Sequence, residues 1–475
     1  MPTTNGNRKI LDLKRWEACA PAPAASVAGS FIASSRHFRQ QQFFLRGQNE
    51  SYMYHPAEDG WVTLPAAGLA GALGAGACGV ASAFSVGAAT AVASLTATGG
   101  STSTIITNQN LQRDLRGYKV QIMAGPNAGA VLDIVSNTIG ANATITVAAQ
   151  ASAFSASTVY RLLTPTWYVC GNGSVAAGSF RKYDWATNTF TTLANMPASF
   201  GTDAKLVATP SIVDGAFRQF ATGTATSATT TTLVQTGKTW GASQWINSQV
   251  RITAGTGAGQ IRTISANTAD TLTVSAAWTI MPDATSQYAI EGNDDFLYLL
   301  GNNAVTMYRY SISANTWTTL SPTAARAAAP GAGMSAHWVH TVRETDWNVE
   351  SAIQNGRFIY SFQGAATGAL HRYDIAANTW ATITYAPAAE TFTTGSKYAL
   401  HDGVLYIQKD ATGRFFAYDF ARSELFPWGP MLYPQGTAIV GDTAFDVIYE
   451  DGATDIFYVY MLQNSSQILL RQMVI

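Results

Sequence analysis

Four groups of residues in this sequence have types and spacings that could do chemistry. His337 and His340 are the closest-spaced of the six histidines. Two imidazoles share a metal ion only if they face the same way. Ser335 to Val342 reads as a strand, where positions three apart point to opposite faces, so a shared ion is not expected. Gly255 to Gly259 reads Gly-Thr-Gly-Ala-Gly. A phosphate loop needs a following Lys-Ser or Lys-Thr and an opening helix; neither follows, and a hairpin turn is the expected reading. Asp294 and Asp295 are adjacent acids, whereas a glycosidase needs two carboxylates on either side of a sugar bond. Directly before the apolar run Phe296 to Leu300, they suit the end of a segment better. Cys19, Cys78 and Cys170 are isolated in sequence and odd in number, with neither zinc spacing nor a disulfide framework, so folding in a reducing compartment is expected. No catalytic, cofactor-binding or metal-binding residue is therefore assigned, and no enzymatic activity is expected. Trp240 and Trp245 are the candidates for contact with a ligand. A place in a small local core is the competing role for them.

Composition narrows the function classes further. Of 475 residues only 12% are charged, about half the usual share. The net charge of −1 offers no basic field for nucleic acid. A large surface this poor in charge fits either coverage by partners or an Ala-rich compositional drift. Gly60 to Gln112 holds no charged residue and is long enough to span a membrane. It is Gly-rich and weakly hydrophobic, however, and the repeat register described next places a strand near Cys78 to Phe84, so no membrane segment is expected. Met1 to Lys14 lacks the apolar core of a secretory signal.

The elements that must position these residues repeat along the chain. Leu370 to Trp380 reads LHRYDIAANTW, Met307 to Trp317 reads MYRYSISANTW, and Phe180 to Phe190 reads FRKYDWATNTF. Tyr52 to Trp61 is a further copy, and Phe416 to Phe426 is one residue looser. The pairs Tyr54 and Trp61, Tyr183 and Phe190, Tyr310 and Trp317, and Tyr373 and Trp380 are each seven residues apart. An apolar run and a Gly or Asn turn precede each Tyr strand, and an Asn-bearing turn leads to the Trp strand. A fourth strand is expected upstream, over Ala208 to Val213, Ser335 to Val342 and Ser396 to His401. Four antiparallel strands per unit describe a propeller blade.

The Tyr-Asp strand, Asn-Thr turn and Trp together resemble the kelch repeat. The double glycine usual after the second kelch strand is reduced to single glycines, such as Gly171, Gly301 and Gly364. Second strands begin near Phe43, Trp167, Phe296, Phe358, Leu405 and Phe457, which implies six blades. The last blade lacks its Trp strand at the C-terminus. Leu13 to Ala18, with Trp16, resembles Asn315 to Leu320 and is expected to complete it, closing the ring and removing two exposed sheet edges. The expected fold is all-β: a six-bladed kelch-like β-propeller closed by the N-terminal strand, with two small homologous β-modules inserted in blades two and three. Propeller segments are expected over 1–87, 165–217 and 293–475, and the modules over 88–164 and 218–292. Ser311 to Trp317 lacks the Asp and Gly of a sialidase-type turn and reads better as kelch.

The two insertions match each other. Val250 to Gly259 parallels Val120 to Gly129, Ile264 to Asn267 parallels Ile134 to Asn137, Thr271 to Val274 parallels Thr144 to Val147, and Tyr288 parallels Tyr160. Both are expected between the first and second strands of their blades, and so on one rim. Trp240, Gln249 to Ile264 and Thr271 to Val274 are similar to short β-modules of tailed-bacteriophage structural and tail-associated proteins. That resemblance implies a structural virion component, assembled in the host cytoplasm and docked in several copies to other virion proteins. The alternative it leaves open is a propeller that binds a host-surface glycan or receptor. No cofactor, nucleic acid or membrane partner is expected.

Overall fold

The computed structural model describes residues 16–474 apart from 28, 36–41, 46–49, 67–76, 83–93, 172–177, 202, 214, 341–355, 387–389, 410–413, 429–443, 452–455 and 463–465. Parts of several expected features, namely Leu13 to Arg15, Phe84, Val342 and much of the charge-free stretch, lie outside the described residues. All regular elements described are β-strands, and no helix among them is long and apolar enough to cross a membrane.

The strands form a β-propeller-like all-β fold. Six of its sheets are four-stranded and antiparallel. Five of them take their strands in simple chain order. One joins Phe31–Ser34, Gln42–Leu45, Ser51–His55 and Gly60–Thr63. Another joins Lys397–His401, Val404–Gln408, Phe415–Asp419 and Glu424–Pro427. The sixth combines both ends of the chain: Ala444–Asp451, Ile456–Leu462 and Leu469–Val474 are followed in the sheet by Glu17–Ala18. Glu17 pairs with Arg471 and Ala18 with Leu470.

The repeated aromatic pairs explain why each sheet ends as it does. Tyr54 faces Trp61, Tyr183 faces Phe190, Tyr310 faces Trp317 and Tyr373 faces Trp380 across neighbouring strands. Ring centroids are 4.9–5.3 Å apart. All four tyrosines are buried, and their hydroxyls donate to the Asx residue of the turn: Asp59 at 2.6 Å, Asn188 at 2.8 Å, Asn315 at 2.6 Å and Asn378 at 2.7 Å. Each of these Asx residues has a positive φ, between 45° and 53°, a conformation Asn and Asp tolerate better than other L-residues. Burying one such ring contributes about 1.5–3 kcal/mol, and an aromatic pair adds about 0.5–1.5 kcal/mol. The fifth copy corrects the sequence register. Tyr418 pairs with Leu425, and Ser423 holds the positive-φ turn position, so Leu425 rather than Phe426 takes the place of Trp.

The same turns tie one sheet to the next. Ala194 N donates to Asn315 Oδ1 at 2.8 Å, and Trp317 Nε1 reaches Ala194 O at 3.4 Å. At the chain start Ala20 N donates to Asp59 Oδ1 at 2.7 Å, and Trp61 Nε1 donates to Ala20 O at 3.0 Å. Ala20 thus does for the first sheet what Ala194 does for the third. Trp16 is buried against Phe415 of the preceding sheet, at 5.3 Å between centroids. Phe180 receives Trp317 in the same way, at 5.0 Å.

Two expected first strands differ from the structure. The third sheet begins with Lys205–Ala208, not Ala208 to Val213. Pro210 has no N–H to continue a ladder, and Ile212–Val213 instead forms a separate pair with Ala216–Phe217. The expected Ser335 to Val342 strand is only His337–Val339.

Candidate functional site

Two seven-stranded sheets are inserted where the sequence repeats itself. One lies between Cys78–Ser82 and Thr166–Cys170 of the second blade, the other between Lys205–Ala208 and Phe296–Leu300 of the third. Their strand orders are equivalent, and both carry register shifts at matching places, Ile122/Ala124 with Ile252/Ala254 and Ile134/Ser136 with Ile264/Ala266. Ile122, Ile134, Ile145 and Tyr160 fill one core; Ile252, Ile264, Leu272 and Tyr288 fill the other.

The Gly-rich segments are the hairpin turns of these modules, and they interlock. Gly255 and Gly259 have φ of 76° and 87°, and Gly125 and Gly129 have 85° and 90°. A Cβ on Gly129 would meet Ala258 Cβ at 3.0 Å and Thr253 O at 3.1 Å; one on Gly259 would meet Met123 O at 2.5 Å. Thr253 and Met123 are equivalent positions. The two hairpins therefore pack by the same surface on each side, as in a two-fold dimer built within one chain. The phosphate-loop geometry is absent because both ends of the turn continue as strands, Gln249–Ala254 and Ile261–Asn267.

Beneath the hairpins lies a cluster of four buried charges. Arg251 holds Glu291 through Nε to Oε2 at 3.1 Å and Nη2 to Oε1 at 2.5 Å. Arg161 of the first module lies 3.5 Å from Asp294 at the end of the second, and its Nε donates to Gln121 Oε1 at 2.8 Å. Asp294 also accepts from Ser211 N at 2.6 Å, Ser211 Oγ at 2.8 Å and Gln249 Nε2 at 2.9 Å. Burial pushes both carboxyls up, against the opposing pull of Arg251 on Glu291 and of Arg161 on Asp294. Burial also draws Arg161 down to about 10, against the attraction of Asp294 and Glu291. Two acids and two guanidiniums balance, and the cluster joins both modules to the third blade at Ser211. Asp294 thus fixes the junction of module and blade. Its neighbour Asp295 accepts from Ser311 Oγ and from Ser313 N in the turn of that blade.

Between the modules runs a groove of about 830 Å³, lined in part by Met123, Ala128, Ile261 and Ile280, with Arg161, Tyr168 and Asp294 in its wall. Sequence reasoning missed it, because Arg161 and Asp294 meet only when two distant insertions pack together. The one available signal was the duplication of the Gly-rich hairpin.

The contact candidates sit differently. Trp245 is only 8% exposed and lies parallel to Phe220, 9° between planes, within the second module's core. That is the place in a small local core that competes with a contact role for it. Trp240 is half-buried at the edge of the same core, with Tyr288 and Lys238 against its ring. Five of the eight exposed large apolar side chains among the described residues lie elsewhere on the modules, and Val305, Phe426 and Ile468 lie outside them. Ile106, Val135 and Ile139 lie on the first, and Ile280 and Met281 on the second, at 38–65% exposure.

A second concavity, about 230 Å³, lies where the first strands of five sheets converge, and Cys78, Asp203, Lys205, His337, His340 and Lys397 are among its lining residues. His337 and His340 are both among the lining residues, while the His340 ring lies 5.3 Å from that of Trp338, two positions before it, as alternation along a strand expects. Asp203 accepts from Lys397 Nζ at 3.0 Å and from Gly333 N at 2.9 Å. Burial pushes its carboxyl up, but Lys397, Lys205 and the Gly333 amide outweigh that and hold it below the ordinary value.

No protein-family model matches the chain, and no curated protein does. Among solved structures it is similar to a GH74 xyloglucanase from Xanthomonas campestris, with 10% identity and a TM-score of 0.35. The match covers 95% of this chain and 46% of that one, so the chain spans less than half the length of that protein. A likeness at this level transfers no residue role. The expectation that the chain is not an enzyme is corrected: the solved structure it is similar to is itself an enzyme.

Proposed function

We propose that the chain is a structural component of a bacteriophage virion, a rigid propeller scaffold whose paired modules dock onto neighbouring virion proteins in several copies per particle. The observation that carries this reading is that five of the eight exposed large apolar side chains among the described residues lie on the modules: Ile106, Val135, Ile139, Ile280 and Met281. Exposed apolar surface gathered on one part of a molecule marks an interaction site. The interlocked hairpins and the buried charge cluster supply rigidity, so little ordering entropy opposes docking. In this reading the six sheets close a kelch-like ring, with Trp16 and Ala20 completing the sixth blade. The resemblance of Gln249 to Ile264 and Thr271 to Val274 to phage tail-associated modules supports a partner among virion proteins.

The test is incorporation. Replacing Ile280 and Met281 together by Ser removes apolar surface without touching either module core. Incorporation into particles is expected to fall at least tenfold while the melting temperature stays within about 2 °C, as for a surface change. Normal incorporation of the folded variant counts against the docking surface. The groove supports a second reading, a host glycan held between the modules, since its size falls in the range of ligand pockets. Selective signals on a glycan array, lost on substituting the groove residue Arg262, would favour that reading over docking.

A further inference from the structure

Cys78 and Cys170 are far apart in sequence but directly opposite in the second blade, where Cys170 pairs with Cys78 at the end of adjacent antiparallel strands. Opposed residues in such a ladder have Cα atoms about 4.5–5.5 Å apart, inside the span a disulfide requires, about 4.4–6.8 Å. Both side chains are buried and both thiols are free. The Cys170 thiol hydrogen-bonds Cys78, and burial together with that bond pushes Cys170 well above the ordinary thiol value. Directly opposed side chains of an antiparallel pair point to the same face of the sheet, so the register places the two thiols side by side. Their surroundings differ. Cys78 lines the axial pocket, whereas Cys170 is fully buried and is not part of that lining. Lys205 lines the same pocket and lies close enough to Cys78 for electrostatic interaction.

We propose that Cys78 and Cys170 form a redox-active dithiol, in which Cys78 is the attacking thiol reached through the axial pocket, Lys205 faces the departing small thiolate in that pocket, and Cys170 resolves the intermediate. The co-reactant is a small organic disulfide. The Cys78 thiolate attacks one sulfur of that disulfide, a mixed disulfide forms on Cys78 Sγ, and the first half leaves as a thiolate that takes up a proton. Cys170 Sγ then attacks Cys78 Sγ, its proton passes to the departing sulfur, and the second half leaves as a thiol. The protein pair is oxidised by two electrons, and the small disulfide is reduced to two thiols. The sequence showed three isolated cysteines; the fold turns two of them into a pair.

The test uses the native full chain, incubated with hydroxyethyl disulfide, quenched by alkylation and mapped by peptide mass spectrometry. A linked Cys78–Cys170 peptide, lighter by two hydrogens and reversed by dithiothreitol, is expected. The Cys170→Ala variant should instead hold a stable mercaptoethanol adduct on Cys78. The Cys78→Ala variant should leave Cys170 unmodified, and Lys205→Met should slow the reaction several-fold. No linked peptide from native protein, with linkage only after denaturation in urea, overturns the proposal. Modification of Cys170 in native Cys78→Ala protein overturns the assigned order of attack, and an unchanged rate in Lys205→Met removes that residue from it. If the variants fail to fold, the linked peptide of the unaltered chain still decides the pairing.

Discussion

Replacing Asn315 by Ala tests what the repeated turn contributes. Asn315 Oδ1 accepts from the hydroxyl of Tyr310, which is fully buried, and from the half-buried Ala194 amide of the neighbouring sheet. Leaving the Tyr310 hydroxyl without an acceptor costs about 1–3 kcal/mol, and losing the Ala194 bond, whose amide water can reach, costs about 0.5–1.5 kcal/mol. Asn315 also has a φ of 51°, where Ala adds about 1 kcal/mol of strain. The expected loss is about 3–5 kcal/mol in urea unfolding followed by tryptophan fluorescence. Asn315→Asp keeps the acceptor and the tolerance for positive φ, so it should cost under about 1 kcal/mol. Asn315→Gly relieves only the strain and should fall between the two. Tyr310→Phe removes the buried donor, so a double-mutant cycle with Asn315→Ala should show about 1–2 kcal/mol of coupling. Strict additivity, or a loss below about 0.5 kcal/mol in Asn315→Ala, would refute the claim that the Tyr–Asx bond holds the turn.

Three further perturbations probe other parts of the account. Trp16→Ala should destabilise by about 3–5 kcal/mol, the usual result of emptying a buried indole site; unchanged urea unfolding would show that the N-terminal strand does not anchor the sixth sheet. Asp294→Ala leaves Arg161 buried without its acid and should cost about 3–5 kcal/mol, with faster hydrogen exchange in both modules. Exchange confined to the second module would contradict a shared cluster. Asp203 has a folded-state pKa below its unfolded value of 3.8. Its contribution is therefore present above 3.8 and is lost as pH falls through the lower folded value. The stability gap between the native chain and Asp203→Asn should be largest near neutrality and close in acid; a gap that persists at low pH would show that another group is responsible.

The repeat was legible because each Tyr and its Trp or Phe report a local fact, the seven-residue spacing across one hairpin. Tyr54, Tyr183, Tyr310 and Tyr373 each found the partner that spacing indicates. The fifth copy misled because Leu425 replaces the aromatic residue while Phe426 beside it imitates one. Trp16 was legible by likeness to Trp317, though its partners Phe415 and Trp428 were not. The candidate site was only half legible. The Gly-rich hairpins could be matched by eye, but nothing in either copy says that Gly129 and Gly259 abut, or that Arg161 meets Asp294. The Cys78–Cys170 contact was hidden for the same reason: an inserted module separates two strands that are neighbours in space.

The central functional claim is tested most directly by quantitative mass spectrometry of density-purified phage particles carrying the gene for this chain. The account predicts this protein in the particles in several copies each, retained through repeated banding. Its absence from purified particles, with the protein recovered only as free chains in the lysate, would contradict that claim.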